Sequence, residues 1–97
     1  MQRNYLRSKS IPIKKSWGQN FLIDQNVIKN ILKTINPNKN DIIIEVGPGK
    51  GAITLPLSPK VKKIIAIEID PLLYNYLNNI IPENIKLLNK DILTWKF

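Results

Sequence analysis

The strongest constraint on the fold is an apolar stretch, IIIEV at residues 42–46, that leads directly into a glycine loop, GPGKG at residues 47–51. A continuous β-branched run is typical of a strand that is buried on both faces of a parallel sheet. A Gly-x-Gly loop between such a strand and a helix usually lets the backbone pass very close to a ligand. The combination predicts an α/β domain whose ligand lies beside residues 47–51.

The segment before this strand predicts an amphipathic helix. Asp24 can accept hydrogen bonds from the first backbone N–H groups of a helix that continues to about Ile35, where the Asn-Pro pair at 36–37 ends it. Lys29, Asn30 and Lys33 would face solvent. The apolar residues recur at helical spacing on the other side: Val27, Ile28, Ile31, Leu32 and Ile35.

Four more elements are predicted after the glycine loop. Only a short or broken helical stretch is expected first, because Pro56 and Pro59 interrupt it. Residues 63–69 predict a second buried strand, an Asp-Pro pair at 70–71 predicts a helix start, and residues 85–88 predict a third strand. The helix repeats the apolar spacing of the first one: Leu72, Leu73, Tyr76, Leu77 and Ile80.

The order strand, helix, strand, helix, strand is the opening half of a doubly wound α/β sheet. The residues before it, 1 to about 16, are polar, basic and without periodicity. We therefore predict a flexible basic arm at residues 1–16 and a partial α/β domain at residues 17–97. No internal repeat and no second domain are expected.

The charge of the chain points to a polyanionic partner. The formal net charge is +8, and the first 23 residues contain five basic side chains and no acid. An acid-free basic arm is typical of proteins that bind nucleic acid. Coding bias offers an alternative for part of this charge, because Ile, Asn and Lys fill 43 of 97 positions. The five basic residues of the arm are Arg3, Arg7, Lys9, Lys14 and Lys15.

The composition also excludes several classes of site. The sequence contains no cysteine and no histidine, which rules out disulfides, Cys- or His-ligated metals, a thiol nucleophile and an imidazole base. No apolar run approaches the roughly 18 residues of a membrane span, and the N-terminus lacks the apolar core of a secretory signal. We expect a cytoplasmic chain with no membrane partner.

The glycine loop alone does not identify its ligand. Gly47, Gly49 and Gly51 give G-x-G-x-G, while Gly47, Gly49 and Ala52 also satisfy the dinucleotide pattern G-x-G-x-x-A. Glu68 lies 21 residues beyond Gly47, at the end of the second strand. Dinucleotide and S-adenosylmethionine sites both place an acid there, because a carboxylate can accept both ribose hydroxyls. A dinucleotide, S-adenosylmethionine and a plain tight turn stay open at this point.

Two further features favour S-adenosylmethionine. Asp91 follows the third strand, where an acid can accept a hydrogen bond from an adenine amino group; a helix cap or a loop acid is the alternative. Upstream, Gln19 and Asn20 lie between Trp17 and Phe21. Apolar residues on both sides of an amide pair suggest a segment that packs onto the domain through these apolar residues and directs its amide side chains toward the interior. An ordinary helix entrance explains the aromatic residues but not the amides.

Four blocks then carry a specific resemblance: WGQNFLIDQNVI at residues 17–28, EVGPGKGAIT at 45–54, IEID at 67–70 and DIL at 91–93. In this order they resemble the bacterial small-subunit rRNA adenine N6-dimethyltransferases, from about Lys14 to Phe97. Trp17 stands where many members carry Phe. The resemblance implies the N-terminal half of a Rossmann-like class I methyltransferase fold, with S-adenosylmethionine as cofactor.

The resemblance also implies roles for individual residues. Asn20 and Leu22 would lie over the cofactor, and Gly47 and Gly49 would line its methionine and ribose portion. Glu68 would bind the ribose hydroxyls. Asp91 would bind the adenine. The implied substrate is small-subunit rRNA in the immature small subunit, dimethylated at adjacent adenosines near its 3′ end by an enzyme that is a monomer when complete.

Other functions compete with this interpretation. The large-subunit rRNA adenine methyltransferases associated with macrolide resistance share Q-N-F and an E-x-G-x-G-K-G loop. A non-catalytic rRNA-binding module and a dinucleotide-binding domain are further alternatives. The family's substrate motif, Asn-x-Pro-aromatic, is absent, since the only Asn-Pro pair is Asn36-Pro37. We therefore assign no catalytic residue and expect the cofactor-binding half of an enzyme, inactive by itself.

Overall fold

The structure, a computed structural model, describes residues 24–94. The predicted arm at residues 1–16 lies outside this range, as do residues 17–23 and 95–97 of the predicted domain. The division of the chain into arm and domain therefore stays a prediction. The helices and strands, in chain order, are α1 (Gln25–Ile35), β1 (Ile42–Val46), α2 (Thr54–Leu57), a 3-10 turn (Ser58–Lys60), β2 (Lys63–Ile67), α3 (Pro71–Asn78) and β3 (Ile85–Leu88).

The three strands form one parallel sheet in the order β1-β2-β3. Ile43 is aligned with Ile64, and Ile64 with Ile85, so these residues lie side by side on one face. Both connections advance in the same direction across the sheet. Because crossovers between parallel strands are right-handed, this direction places both connecting helices on the same face. We call it the covered face.

Short polar residues set the helix boundaries as predicted. Asp24 is the N-cap of α1, and its Oδ1 accepts a hydrogen bond from the Asn26 backbone N–H at 2.9 Å. Asn36 ends α1 in the left-handed region, with φ of 51°. Asp70 caps α3 in the same way, accepting from the Leu72 N–H at 2.8 Å, with proline at the first helical position.

The core lies between the helices and the covered face. Ile43, Leu57, Ile64 and Leu77 are completely buried. Burial of such side chains contributes about 1.5–3 kcal/mol each to folding. This core covers one face of the sheet and so fixes the positions of the strand ends. Its buried members are Ile28, Ile35, Ile43, Ile53, Leu57, Val61, Ile64, Ala66, Leu77, Ile85 and Leu87.

The predicted apolar stripe of α3 is partly wrong. Leu72, Tyr76 and Ile80 are 78, 48 and 45 % exposed. The buried side is formed by Leu77, with Tyr74 partly buried against the core. Residues 72, 76 and 80 are four positions apart and would form one stripe along the helix, and residues 73, 77 and 81 would form a second stripe beside it. Periodicity could not choose between the two stripes, and the packing of α3 selects the second.

Strand β1 also differs from its prediction. Ile43 is fully buried on the covered face, whereas Ile42 is 54 % exposed and Ile44 and Val46 are only half-buried. The strand is therefore buried on one face rather than both. Strand β2 ends at Ile67, two residues earlier than predicted. No helix among residues 24–94 is long and apolar enough to cross a membrane.

Candidate functional site

The glycine loop after β1 has an open inner surface. Gly47 and Gly49 have φ of 70° and 59°, in the left-handed region that glycine adopts at little cost. Apart from its chain neighbours, a Cβ atom built on either residue would meet no atom of residues 24–94 within 4 Å. Glycine is therefore required here by the backbone conformation, and the described part of the chain leaves the space beside both residues open. That the loop lets a ligand approach the backbone stays a prediction.

Gly51 has a different role in the same loop. Its φ is 86°, and a Cβ atom built on it would lie 2.8 Å from Leu77 Cδ1 and 3.1 Å from Leu55 Cγ. No side chain fits in that space without displacing its neighbours. Gly51 therefore allows α3 to pack closely against the loop. It serves packing rather than ligand binding.

Glu68 directly follows β2 and is held by two backbone donors. Its Oε1 accepts from the Gly49 N–H at 3.0 Å, and its Oε2 accepts from the Asp70 N–H at 3.0 Å. The side chain is only 4 % exposed. Each carboxylate oxygen can accept two hydrogen bonds, so one site remains on each. Any further donor must reach the carboxylate beside Gly49, where the loop is open.

Asn89 ties the ends of β2 and β3 together, and the sequence analysis did not identify it. Its Nδ2 donates to the Glu68 carbonyl at 2.8 Å and to the Ile69 carbonyl at 3.2 Å. The backbone carbonyl of Glu68 is thus held by a side chain that follows β3. A short amide residue directly after a predicted strand was the only available signal, and it is a weak one.

Asp91 caps a turn after β3. Its Oδ1 accepts from the Leu93 N–H at 2.9 Å, and its carbonyl accepts from the Thr94 N–H at 3.0 Å. The alternative of a loop acid therefore describes part of what Asp91 does. Its Oδ2 has no hydrogen-bond partner among residues 24–94, and the residue is half-buried. One acceptor oxygen is thus left for a ligand.

A buried pair behind the loop also escaped the sequence analysis. The Thr54 hydroxyl donates to Glu45 Oε1 at 2.6 Å, and these residues are 0 and 2 % exposed. The bond joins β1 to the first residue of α2 and so fixes both ends of the glycine loop. A carboxylate inside an isoleucine-rich strand was the signal, because a buried acid requires a partner.

The carboxyl end of the sheet thus brings together four of the six predicted site residues: Gly47, Gly49, Glu68 and Asp91. Asn20 and Leu22 lie outside the described residues. Within residues 24–94, no group of three or more acidic, histidine or cysteine residues could hold a metal ion. The site offers backbone surface and carboxylate acceptors. Such groups suit a ligand that donates hydrogen bonds and carries no phosphate.

Comparisons with known proteins agree with this arrangement. The family model "Ribosomal RNA adenine dimethylase" matches residues 11–97. A "Ribosomal RNA small subunit methyltransferase A" from Blochmanniella floridana is 43 % identical over 98 residues, covering 100 % of this chain and 35 % of the relative. The protein of the same name from Wigglesworthia glossinidia brevipalpis is 51 % identical over 84 residues, covering 84 % of this chain and 32 % of the relative.

A solved structure shares the fold. The crystal structure of a dimethyladenosine transferase from Plasmodium falciparum matches with a TM-score of 0.70 at 24 % identity, covering 76 % of this chain and 28 % of that chain. The three parallel strands and their helices thus form the start of a Rossmann-like methyltransferase fold, as predicted. The chain spans about a third of the length of the curated relatives it matches. It belongs to the ribosomal RNA adenine dimethylase family.

Proposed function

We propose that this chain is the cofactor-binding part of an S-adenosylmethionine-dependent enzyme that dimethylates adenine amino groups in small-subunit rRNA. The open surface at Gly47 and Gly49, directly beside the Glu68 carboxylate, is the observation that carries the proposal. The names of the relatives favour the small-subunit enzymes over the large-subunit group. The substrate would be the rRNA of immature small subunits in the cytoplasm.

The chemistry of the site fits S-adenosylmethionine better than a dinucleotide. A pyrophosphate would need free N–H groups in the loop, but the Gly49 N–H already donates to Glu68. S-adenosylmethionine carries no phosphate, and its sulfonium is positively charged. An acid after the second strand occurs in both kinds of site, so it is the engaged Gly49 N–H that favours this cofactor over a dinucleotide.

Each predicted residue has a proposed task. The two remaining acceptor sites of the Glu68 carboxylate would bind the two ribose hydroxyls. Gly47 and Gly49 would line the methionine and ribose portion, where any side chain would fill the open space. The Asp91 Oδ2, which has no hydrogen-bond partner among residues 24–94, would accept from the adenine amino group. Asn20 and Leu22 keep their predicted places over the cofactor.

When bound, the cofactor supplies a methyl group on a positively charged sulfur. The residues of this chain bind and orient it, and Glu68 enters the site already fixed by two hydrogen bonds. Rate enhancement in such a transfer depends on holding both reactants in attack geometry. The sequence supplies no Asn-x-Pro-aromatic motif for the target adenine. We therefore expect no methyl transfer by residues 1–97 alone.

A chimera tests the proposal. Residues 1–97 replace the matching part of the Wigglesworthia relative, and the product is incubated with methyl-labelled S-adenosylmethionine and immature small subunits. We expect dimethyladenosine in the small-subunit rRNA, measured by mass spectrometry, and none with residues 1–97 alone. A folded chimera that binds the subunits but transfers no methyl group would contradict the proposal. Dimethyladenosine formed by the 97 residues alone would show that the site is more complete than we infer.

A further inference from the structure

A second surface feature, which we call the lysine groove, lies away from the glycine loop. It has a volume of about 410 Å³. Three of its residues are lysines and none is acidic. The groove is lined by Lys29, Leu32, Lys33, Asn36, Pro37 and Lys60.

Two separate elements bring these lysines together. Lys29 and Lys33 are four residues apart in α1, so they are neighbours on one helix face with Cβ atoms about 5–6 Å apart. Lys60 ends the 3-10 turn Ser58–Lys60. A fourth ammonium group lies close by, because Lys39 Nζ donates to the Pro59 carbonyl at 3.0 Å. The concentration of positive charge therefore comes from the fold and not from a single run of sequence.

These charges are not neutralised within the described part of the chain. The side chains of Lys29, Lys33 and Lys60 are exposed, and none of these side chains forms an ion pair or a hydrogen bond with another residue among 24–94. The acid closest in sequence to Lys39 is Asp41, whose Oδ2 accepts from the Asn38 N–H at 2.8 Å. Like charges held close together repel each other, and a bound anion removes that repulsion.

The groove lies at the end of the sheet opposite to the glycine loop. Pro37 precedes β1 and Lys60 precedes β2, whereas Gly47 and Glu68 follow these strands. Each of the two strands has five residues, so the two ends are separated by about 16 Å at roughly 3.3 Å per residue. A ligand in the groove is therefore a different group from the cofactor and from the nucleotide beside it.

We propose that the lysine groove binds the sugar-phosphate backbone of the rRNA at phosphates remote from the methylated adenosine. This inference rests on the proposed function. The lysines come from two elements that line one groove, and charge spread in this way suits a polyanion that carries a phosphate at each of several positions. Lysine ammonium groups act as point charges on phosphates and read no bases. The groove thus sets the orientation of the RNA and leaves the choice of target to other contacts.

The test compares two triple variants of the full chain, and of the chimera, that remove the same charge. One carries Lys29→Gln, Lys33→Gln and Lys60→Gln; the matched control changes the exposed lysines Lys62, Lys86 and Lys90 to Gln. Binding of a fluorescent rRNA hairpin is measured by anisotropy at several salt concentrations. Each lost duplex phosphate contact lowers the slope of log affinity against log salt by about 0.9. We expect a decrease of about 2–3 for the groove variant and less than about one for the control.

Equal slopes for the two variants, or no change in either, would overturn the inference. So would equally tight, equally salt-dependent binding of a polyglutamate peptide, because that result indicates an acidic protein partner. Circular dichroism checks that each variant is folded. If the triple variant unfolds, Lys33→Gln and Lys60→Gln are measured singly, each with an expected decrease of about 0.9. Titration with S-adenosylmethionine separates this inference from the proposed function: loss of the inference leaves cofactor binding intact, whereas absence of cofactor binding from the unmodified protein contradicts the proposed function.

Discussion

The two ends of the parallel sheet differ in how firmly their polar groups are held. At the carboxyl end, Glu68 is 4 % exposed and accepts from two backbone N–H groups, and Asn89 fixes its carbonyl. At the amino end, the side chains of the groove lysines Lys29, Lys33 and Lys60 are exposed, and none of these side chains forms a hydrogen bond or an ion pair with another described residue. A site for one small molecule requires acceptors in fixed positions. A surface for a polyanion requires only a high density of charge.

The largest effect on cofactor affinity is expected from a change at the fixed end, Glu68→Gln. The Gln side chain has one oxygen for two N–H donors, so the Gly49 or the Asp70 N–H loses its acceptor. A buried donor without an acceptor costs about 1–3 kcal/mol of stability. Loss of a charged hydrogen bond to the cofactor costs about 1.5–3 kcal/mol, which is tenfold or more in affinity. Thermal unfolding and calorimetric titration with S-adenosylmethionine measure the two effects.

Glu83→Gln is the matched control, because Glu83 is exposed and lies outside the site. It should leave stability and cofactor affinity unchanged. RNA affinity and its salt dependence should be the same in both variants, since Glu68 lies at the opposite end from the groove. If the Glu68→Gln variant binds the cofactor as tightly as the Glu83→Gln variant, Glu68 does not bind the cofactor, and the proposed difference between the two ends of the sheet is wrong.

A pair of glycine substitutions separates packing from binding within one loop. Gly51→Ala places a Cβ atom 2.8 Å from Leu77 Cδ1. The overpacking should lower the free energy of unfolding by about 1–3 kcal/mol, in addition to about 1–2 kcal/mol for the left-handed backbone conformation. Gly49→Ala meets no atom within 4 Å and should cost only that strain. Cofactor affinity should follow the reverse order, since only the Gly49 methyl group enters the open space. Equal loss of stability in both variants would show that the two positions do not differ.

The smallest effect is expected from Asp91→Asn. The Asn side chain keeps an oxygen that can accept from the Leu93 N–H, so the turn after β3 should persist. The amide nitrogen that replaces Oδ2 cannot accept from the adenine amino group, so that hydrogen bond is lost, but water reaches this half-buried residue and offsets part of the loss. Cofactor affinity should therefore fall by about threefold to tenfold, or about 0.7–1.4 kcal/mol. Unchanged affinity in a calorimetric titration would restrict Asp91 to its role in the turn.

The parts of the fold with local causes were predictable from the sequence. Asp24 and Asp70 cap their helices, Asn36 ends α1, and β3 covers the predicted residues 85–88. Each of these features depends on residues within four positions of one another. The buried side of α3 was not predictable in this way, because two stripes have equal spacing. Packing of α3 against the core distinguishes them, since Leu77 is completely buried there and Tyr76 is 48 % exposed.

The site residues that come soon after a predicted strand could be identified from the sequence. Glu68 and Asp91 were identified because acids after parallel strands point to a ligand at the carboxyl end of the sheet. The contacts that hold the site were not identified. Asn89 contacts the backbone of Glu68, 21 positions away, and Thr54 contacts Glu45, nine positions away. Such pairs depend on the register of the sheet, which no local pattern determines.

The two-sided burial predicted for β1 shows the same limit. A β-branched sequence favours burial, but the positions of the helices decide which face receives it. Both crossovers of this three-stranded sheet place their helices on the face of Ile43. Ile42 and Ile44 lie on the opposite face, which no helix among residues 24–94 covers, and they remain exposed or half-buried.

The central claim, that the carboxyl end of the sheet binds S-adenosylmethionine, is tested most directly by NMR titration of the ¹⁵N-labelled protein. We predict that S-adenosylmethionine shifts the amide signals of Gly47, Gly49, Glu68 and Asp91, whereas signals of the lysine groove stay in place and NAD causes smaller shifts at equal concentration. Shifts confined to the lysine groove would contradict the claim, as would tighter binding of NAD than of S-adenosylmethionine.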